Sequence, residues 1–527
     1  MTGRTGNGVG KADADAPHAW LSQASTVFSL IAAYLALHFV LRLSLSPSLG
    51  IDDAEQVLFA QQWAPGYRFR QPPLFTWLLV PVIDVVGPGV LAVSIVRYTL
   101  LAITYGLLYL TACHWIVDRR LAALAAFSFS SIYVFAYYAH HDLTHTTMLA
   151  AIIAATLYTF TQLTRRPTIQ HYLLLGLCFG LGMLAKWNFV MLAVGLPLTC
   201  LFFYAYRPLV LTWKSLLIVA VMAAIVSPTA LWMFNLGQSA IGVSDEILGG
   251  TSDLSRWALT INGGQALITS IALFPLPFLV IFLLAFGKAV IPARLDKQPR
   301  DGVAPNPNFL GWLMIVILSL HALLIPLFGA VTFTERWMHT ALMILPLFLF
   351  AILAKHSPSS RSLSFYLAMI AILVAVVVGA RLYRYIEGAD TCGKCREFAP
   401  FSILADDLRG VGFTSGMIIA DGMHMGGNLK MAFPESLVID ATFPAALWPN
   451  SSNLGQTSGM CLLVWRDDQP NAKMRRDKIK RYAETEYGVP ATTRGKTGRL
   501  KAPLYRSTSR QYTLGFELIQ ENAGGCR

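Results

Sequence analysis

Long apolar runs separated by short polar stretches fill the first 385 residues. A helix needs about 20 apolar residues to cross the hydrocarbon core of a membrane. Eleven stretches reach that length, at 22–44, 90–117, 121–140, 144–164, 169–186, 188–206, 213–235, 264–288, 309–331, 335–354 and 362–385. Lys186 separates the fifth from the sixth. A twelfth apolar run, Pro73–Val86, is short and follows Pro72. It predicts an interfacial or re-entrant helix rather than a span.

The pattern changes after residue 386. Five short apolar runs follow: 416–421, 436–441, 459–465, 500–505 and 512–519. Helical patterns lie between them near 397–409 and 472–486. Short apolar strands alternating with helices predict a small α/β domain.

Composition agrees with a polytopic membrane protein. Hydrophobic residues make up 55% of the 527 and charged residues 13%, against about a quarter charged in soluble domains. Aromatics at 12% exclude a disordered chain. The formal charge of +12 raises nucleic acid as a partner, but the positions of the charges decide otherwise. One set of loops (1–21, 118–120, 165–167, 207–214, 288–308, 355–361) carries 14 Lys/Arg and 5 Asp/Glu. The opposite set, counted with Arg97, Lys186, Glu335 and Arg336 at the outer span ends, carries 6 and 9. The positive-inside rule makes the first set cytoplasmic. The amino terminus is then inside, and eleven crossings leave the carboxyl terminus outside. The first apolar segment is long and lacks a small-residue cleavage site, so it reads as an uncleaved anchor. Residues 1–20 read as a disordered cytoplasmic tail.

Residues 387–527 hold 18 Lys/Arg and 15 Asp/Glu, so no net field points to nucleic acid there. The basic stretch AKMRRDKIKRYAETEY reads as a solvated helix face, with an anionic lipid surface as the functional alternative. Cys113, Cys178 and Cys200 lie in spans and read as packing residues. Cys392, Cys395, Cys461 and Cys526 lie outside, where two disulfides can form in three connectivities. Cys392-Gly-Lys-Cys395 reads as a structural bridge in preference to a redox or zinc motif.

Charges near a bilayer are expensive and tend to be functional. Here they gather on the outer side. The first outer loop contains Asp52, Asp53 and Glu55, then Arg68, Arg70, Gln71, Pro72 and Pro73. The second contains His140, His141, Asp142 and His145. Helix capping accounts for one of the first three carboxylates. Another can act as a general base toward a hydroxyl. On a helix His141 and His145 share a face, so Asp142, His141 and His145 are the candidate metal ligands. Interfacial hydrogen bonding is the alternative. Lys186 and Arg336 sit at outer span ends, where snorkelling to headgroups competes with binding a lipid phosphate. Arg97 is a further candidate for that cavity.

These motifs resemble the GT-C glycosyltransferases of family 39. In that family an outer-loop Asp-Glu-Ala-x-Tyr precedes Lys-Pro-Pro-Leu-x-x-Trp. Here the runs are Asp52-Asp53-Ala54-Glu55-Gln56 and Gln71-Pro72-Pro73-Leu74-Phe75-Thr76-Trp77. The second-loop His-Asp, the Gly-rich helix ending at Lys186 and Glu335-Arg336-Trp337-Met338 fit the same order. The resemblance covers residues 20–385 and is nearest to the bacterial aminoarabinose and lipopolysaccharide galacturonosyl transferases. One departure is Arg70-Gln71, where the aminoarabinose type has Glu-Lys.

The resemblance implies a transmembrane GT-C catalytic domain over 21–386 with outer loops at 45–89 and 140–145. A periplasmic α/β domain follows at 387–527. It implies an inverting transferase of a bacterial inner membrane. The enzyme would use a polyprenyl-phosphate sugar donor and a lipid A, lipopolysaccharide or other periplasmic glycan acceptor. Asp52 is the implied base and Asp142 the second acid, with Asp53 as the alternative. Arg336, Arg70 and Lys186 are the cations for the donor phosphate. The resemblance assigns no cofactor, and a divalent metal ion is the one candidate. The chain holds no nucleotide-binding glycine loop. Rival readings are a flippase or transporter of lipid-linked sugar and a protein O-glycosyltransferase of the same fold. The lopsided outer charge and the lack of an inverted repeat disfavour transport.

Overall fold

The computed structural model describes residues 18–237, 255–290, 306–393, 395–448, 460–489 and 495–520. Residues 1–17 of the expected amino-terminal tail and Cys526 lie outside these residues, while Ala19–Ser22 forms a helical turn that buries Leu21, so the expected tail boundary at residue 20 lies too far along the chain.

Six helices are long and apolar enough to cross a membrane alone: Ala24–Leu45, Val90–Trp115, Thr144–Arg165, Ser215–Asn235, Pro307–Phe328 and one beginning at Ser360. Glu335–Leu342 and Leu345–Leu353, bent by 43°, make a seventh if taken together. Shorter apolar helices are Leu74–Val86, Ile169–Ala185, Trp187–Phe202 and Phe278–Val290. Val90–Trp115 packs on Thr144–Arg165, and Ile169–Ala185 on Ser215–Asn235.

Besides the bent 335–354, two further expected spans are not single helices. The apolar run 121–140 forms Arg119–Phe127 and then short turns at Ser128–Ser131, Tyr133–Ala136 and Tyr138–His140. Its serines explain the break. Ser128, Ser130 and Ser131 each donate to a carbonyl three or four residues back, at 2.6–2.7 Å, which competes with the helical ladder. The run 264–288 divides into Arg256–Leu273 and Phe278–Val290. Pro275 and Pro277 lack the N–H that a continuous helix needs. The two breaks meet, with the Tyr133 N–H donating to the Leu276 carbonyl at 3.0 Å.

The last membrane helix runs from Ser360 to Glu387 and leads directly into the α/β domain. Its five strands are β1 (Met417–Ala420), β2 (Leu437–Asp440), β3 (Cys461–Arg466), β4 (Lys496–Pro503) and β5 (Gln511–Ile519). Their order is β2-β1-β3-β5-β4. β1 pairs in parallel with β2 and β3, while β5 runs antiparallel to β3 and β4. The expected helices appear as Phe401–Gly410 and Ala472–Tyr487, and the latter turns its basic side to solvent over buried Ile479 and Ala483. A third, Met423–Ala432, was not expected. Cys392 and Cys395 form a disulfide. Cys461 is also disulfide-bonded, and Cys113, Cys178 and Cys200 are free thiols.

The acidic helix Ile51–Phe59 joins the two parts. Leu58 and Phe59 belong to the core of the α/β domain. Ala54, Val57 and Ala60 pack instead with Leu74, Phe75, Val93 and Leu184 of the membrane helices. Helix Met423–Ala432 lies along it. A side chain at Gly427 would strike the Ala54 backbone, and one at Gly426 would press on Leu58.

Candidate active site

The acidic helix begins after Gly50, which offers no side chain to cap it. The cap comes from the second outer loop. The Asp142 carboxylate accepts the Asp52 N–H at 2.9 Å, where the helix dipole favours negative charge. Gly50 has an ordinary φ of −69°. Its smallness makes room, since a Cβ there would collide with the Asp142 carboxylate.

The four acids then differ in their partners. Asp53 is buried and pairs with Arg97, with Arg42 at 3.6 Å. Arg97 is therefore a buried counter-ion and does not join the outer cations. Glu55 is buried and pairs with Arg68 at 2.5 Å. Asp142 holds the cap. Asp52 is half-buried, and among the described residues nothing donates a hydrogen bond to its carboxylate. Burial and then Glu55 push its carboxyl up to about 7, while Arg336 and Lys186 act the other way. Burial, then Asp52 and Asp53, push Asp142 up to about 7 as well.

Gln56 ties the helix to its surroundings. It meets the His145 ring at 2.9 Å and accepts from Thr76 at 2.6 Å.

The cations sit close by. Lys186 donates to Thr146 at 3.2 Å. Arg336 lies 3.9 Å from Glu335 and over the Tyr138 ring. A cavity of about 230 Å³ is lined by Arg70, Lys186, Trp187, Asn188, Leu324 and Trp337, among others. The structure thus brings Arg70 and Lys186 to one cavity, with Arg336 next to its Trp337 wall. A second, apolar cavity of about 630 Å³ lies among helices Ile169–Ala185, Val190–Phe202 and Ser215–Asn235.

The three candidate metal ligands are not brought together. His141 pairs with Glu397, His145 with Gln56, and Asp142 with the Asp52 backbone. Among the described residues no three His, Cys, Asp or Glu side chains are arranged to hold an ion. These residues do not fit a metal, and no step is derived through one.

The α/β domain supplies contacts that the sequence reading missed. Asn428 is fully buried and accepts from the Leu49 N–H at 2.9 Å, while its amide group faces the Leu49 carbonyl at 3.4 Å. His424 meets that carbonyl at 3.1 Å. Ser46 and Ser48 donate to the carbonyls of Glu397 and Ala399 at 2.6 and 2.7 Å. Gln61 donates to the Val438 carbonyl at 2.8 Å and accepts its N–H at 2.9 Å, extending the edge of β2. Glu397 takes His141 and, at 2.7 Å, Arg384. Burial alone would raise the Glu397 carboxyl, but His141 and the two arginines Arg384 and Arg42 bring it below its usual value. Both acidic loops are therefore anchored on the carboxyl-terminal domain. The trace this left in the sequence is Gly426 and Gly427, whose smallness lets helix Met423–Ala432 lie against Ala54 and Leu58.

Comparison with known proteins follows the same lines. The family described as dolichyl-phosphate-mannose-protein mannosyltransferase matches residues 70–232. Two lipopolysaccharide core galacturonosyltransferases of Rhizobium johnstonii, RgtA and RgtB, are each 30% identical to this chain. The matches cover 83% and 80% of this chain and 86% and 84% of theirs. ArnT from Cupriavidus metallidurans bound to undecaprenyl phosphate shares the fold, with a TM-score of 0.56 at 14% identity over 94% of this chain and 98% of that one. The apo form of ArnT gives 0.54.

Proposed function

We propose that this chain, which belongs to the GT-C glycosyltransferase family of the lipopolysaccharide core galacturonosyltransferases, moves a sugar from a polyprenyl phosphate to a lipopolysaccharide acceptor. The observation that carries this reading is the state of Asp52. It is the one carboxylate of the outer cluster left without a donor or an ion-pair partner among the described residues, and it lies within the field of Arg336 and Lys186. A free carboxylate beside fixed cations suits a reaction that needs a base for a hydroxyl and a counter-charge for a departing phosphate.

The step is a single displacement with inversion. Asp52 accepts the proton of the acceptor hydroxyl, whose oxygen attacks the anomeric carbon. The bond from that carbon to the phosphate oxygen breaks, and the polyprenyl phosphate leaves as a monoester. Arg336, with Lys186 and Arg70, neutralises the charge that grows on the phosphate. An arginine fork is suited to two phosphate oxygens at once. Asp53, locked between Arg97 and Arg42, anchors the acidic helix, and Asp142 caps it.

This reading counts the broken segments and the shorter apolar helices other than Leu74–Val86 as spans, which keeps eleven crossings, and it takes the acidic loops and the α/β domain to be periplasmic from the loop charges. ArnT, whose fold this chain shares, has been solved with undecaprenyl phosphate, which supports a lipid of that class as carrier. The test is the purified protein in proteoliposomes with a labelled polyprenyl phosphosugar and lipopolysaccharide. Label transferred to the acceptor is the expected result. Labelled lipid moved across the bilayer with no transfer would make the protein a flippase.

A further inference from the structure

A second cleft opens beside the acidic helix. Arg42 of the first span, Arg381 and Arg384 of the last, and Tyr137, Tyr385 and Glu397 form its walls, with Gly50 and His141 at its border. It shares no lining residue with the cavity of Arg70 and Lys186.

Its charges do not balance. Arg42 shares Asp53 with Arg97, and Arg384 shares Glu397 with His141. Three guanidiniums thus share two carboxylates, and a fourth, Arg381, only 6% exposed, touches neither. Its N–H groups reach His38 at 2.7 Å and the His140 carbonyl at 3.3 Å, both neutral acceptors. Among the described residues no carboxylate lies within ion-pair distance of it. A buried cation without a counter-charge is costly. Arginine is favoured where a carboxylate or phosphate is taken by two parallel hydrogen bonds. Arg384, three residues on and 38% exposed, presents a second guanidinium to solvent on the same helix. The inner space is about 40 Å³. That is room for an anionic head, and Tyr137 and Tyr385 in the walls offer faces for a sugar ring.

We propose that this cleft is an anion subsite that takes the carboxylate or phosphate of an acidic sugar on the acceptor. The assignment rests on the reading above, which gives the donor phosphate to Arg336 and its neighbours. His141 adjoins Asp142 in the chain, and Gly50 packs against the Asp142 carboxylate. An acidic group held at this border places a neighbouring acceptor hydroxyl near Asp52.

The experiment uses full-length protein in proteoliposomes with two acceptors. One is a core lipid carrying an acidic sugar, and the other is the same lipid with its carboxyl reduced to an alcohol. Arg384→Gln should raise the KM for the acidic acceptor about 10-fold or more, the scale of a charge-assisted contact. The reduced acceptor and the donor KM should not change, and Arg384→Lys should recover part of the loss. If the donor KM rises instead, and only for a donor sugar bearing a carboxylate, the same subsite serves the donor sugar. An equal loss with both acceptors, or no change in either KM, overturns the subsite. If the wild type transfers no sugar at all, the transferase reading fails. Calorimetric binding of the two acceptor lipids to wild type and Arg384→Gln then decides the subsite by itself: equal affinities reject it.

Discussion

Asp142 accepts the backbone N–H of Asp52 at 2.9 Å, although 90 residues separate them. One acid holds the helix from which the other projects, and each feels the charge of its neighbours. Both carboxyls stand near 7, well above the ordinary carboxylate range of about 4. This pairing sets the first two predictions.

Asp52→Asn should lower turnover by about 10²–10⁴-fold, the usual loss for a general base, with insertion and melting unchanged. In the wild type, kcat/KM should fall as pH drops through about 7, because a protonated Asp52 cannot accept the hydroxyl proton. Near-normal turnover in the purified variant would remove Asp52 as the base. A flat profile between pH 5 and 8 would remove Asp52 as the titrating group.

Asp142→Asn keeps an oxygen for the Asp52 N–H and should spare most stability. Asp142→Ala removes the cap and should destabilise by about 1 kcal/mol. Gly50→Ser, which improves many helix starts, should here be harmful, because its Cβ meets the Asp142 carboxylate. Thermal melts of the three variants in detergent test the ranking. A stabilising Gly50→Ser would refute the cap in trans.

Arg336→Lys should lower kcat/KM for the donor by about 10-fold or more, since lysine loses the forked geometry. Arg336→Ala should also move the acid limb of the pH profile upward. Arg336 works to keep Asp52 ionised, so its removal raises the carboxyl further. An anchor that only reaches headgroups would leave both readouts unchanged at subsaturating donor.

Asn428→Ala should strip the buried Leu49 N–H of its partner, at a cost of about 1–3 kcal/mol. Because Leu49 directly precedes Gly50, kcat should fall more than the donor KM rises. Hydrogen exchange over residues 49–55 should quicken. Unchanged exchange there would mean that the α/β domain does not hold the acidic helix.

Alkaline phosphatase fused after residue 400 should be active, and a fusion near residue 298 inactive. The reverse pattern would put the acidic loops in the cytosol.

Much of this architecture was written locally. The five strand windows and the two amphipathic helices of the α/β domain were legible because apolar runs of that length admit few other structures. The acidic motif stood out because three carboxylates in four residues exceed what a cap needs. What failed depended on distance or on competing local bonds. Ser128, Ser130 and Ser131 divert a helix that hydropathy alone counts as continuous. Helix Met423–Ala432 escaped notice because Gly426 and Gly427 weaken helix propensity, although those glycines let it lie against Ala54 and Leu58. Asn428, His424 and Glu397 carry no motif. Their part is visible only when residues more than 250 positions away are brought beside them.

The bond from Leu49 to Asn428 spans 379 residues. A ribosome working at about 5–20 residues per second needs roughly 20 to 75 s to cover that interval. Throughout it the acidic helix is already inserted but unbraced, with Leu58 and Phe59 lacking the core that later covers them. On the proposed reading, activity waits for the last domain to fold against this helix, and a chain released early would carry its acids unbraced.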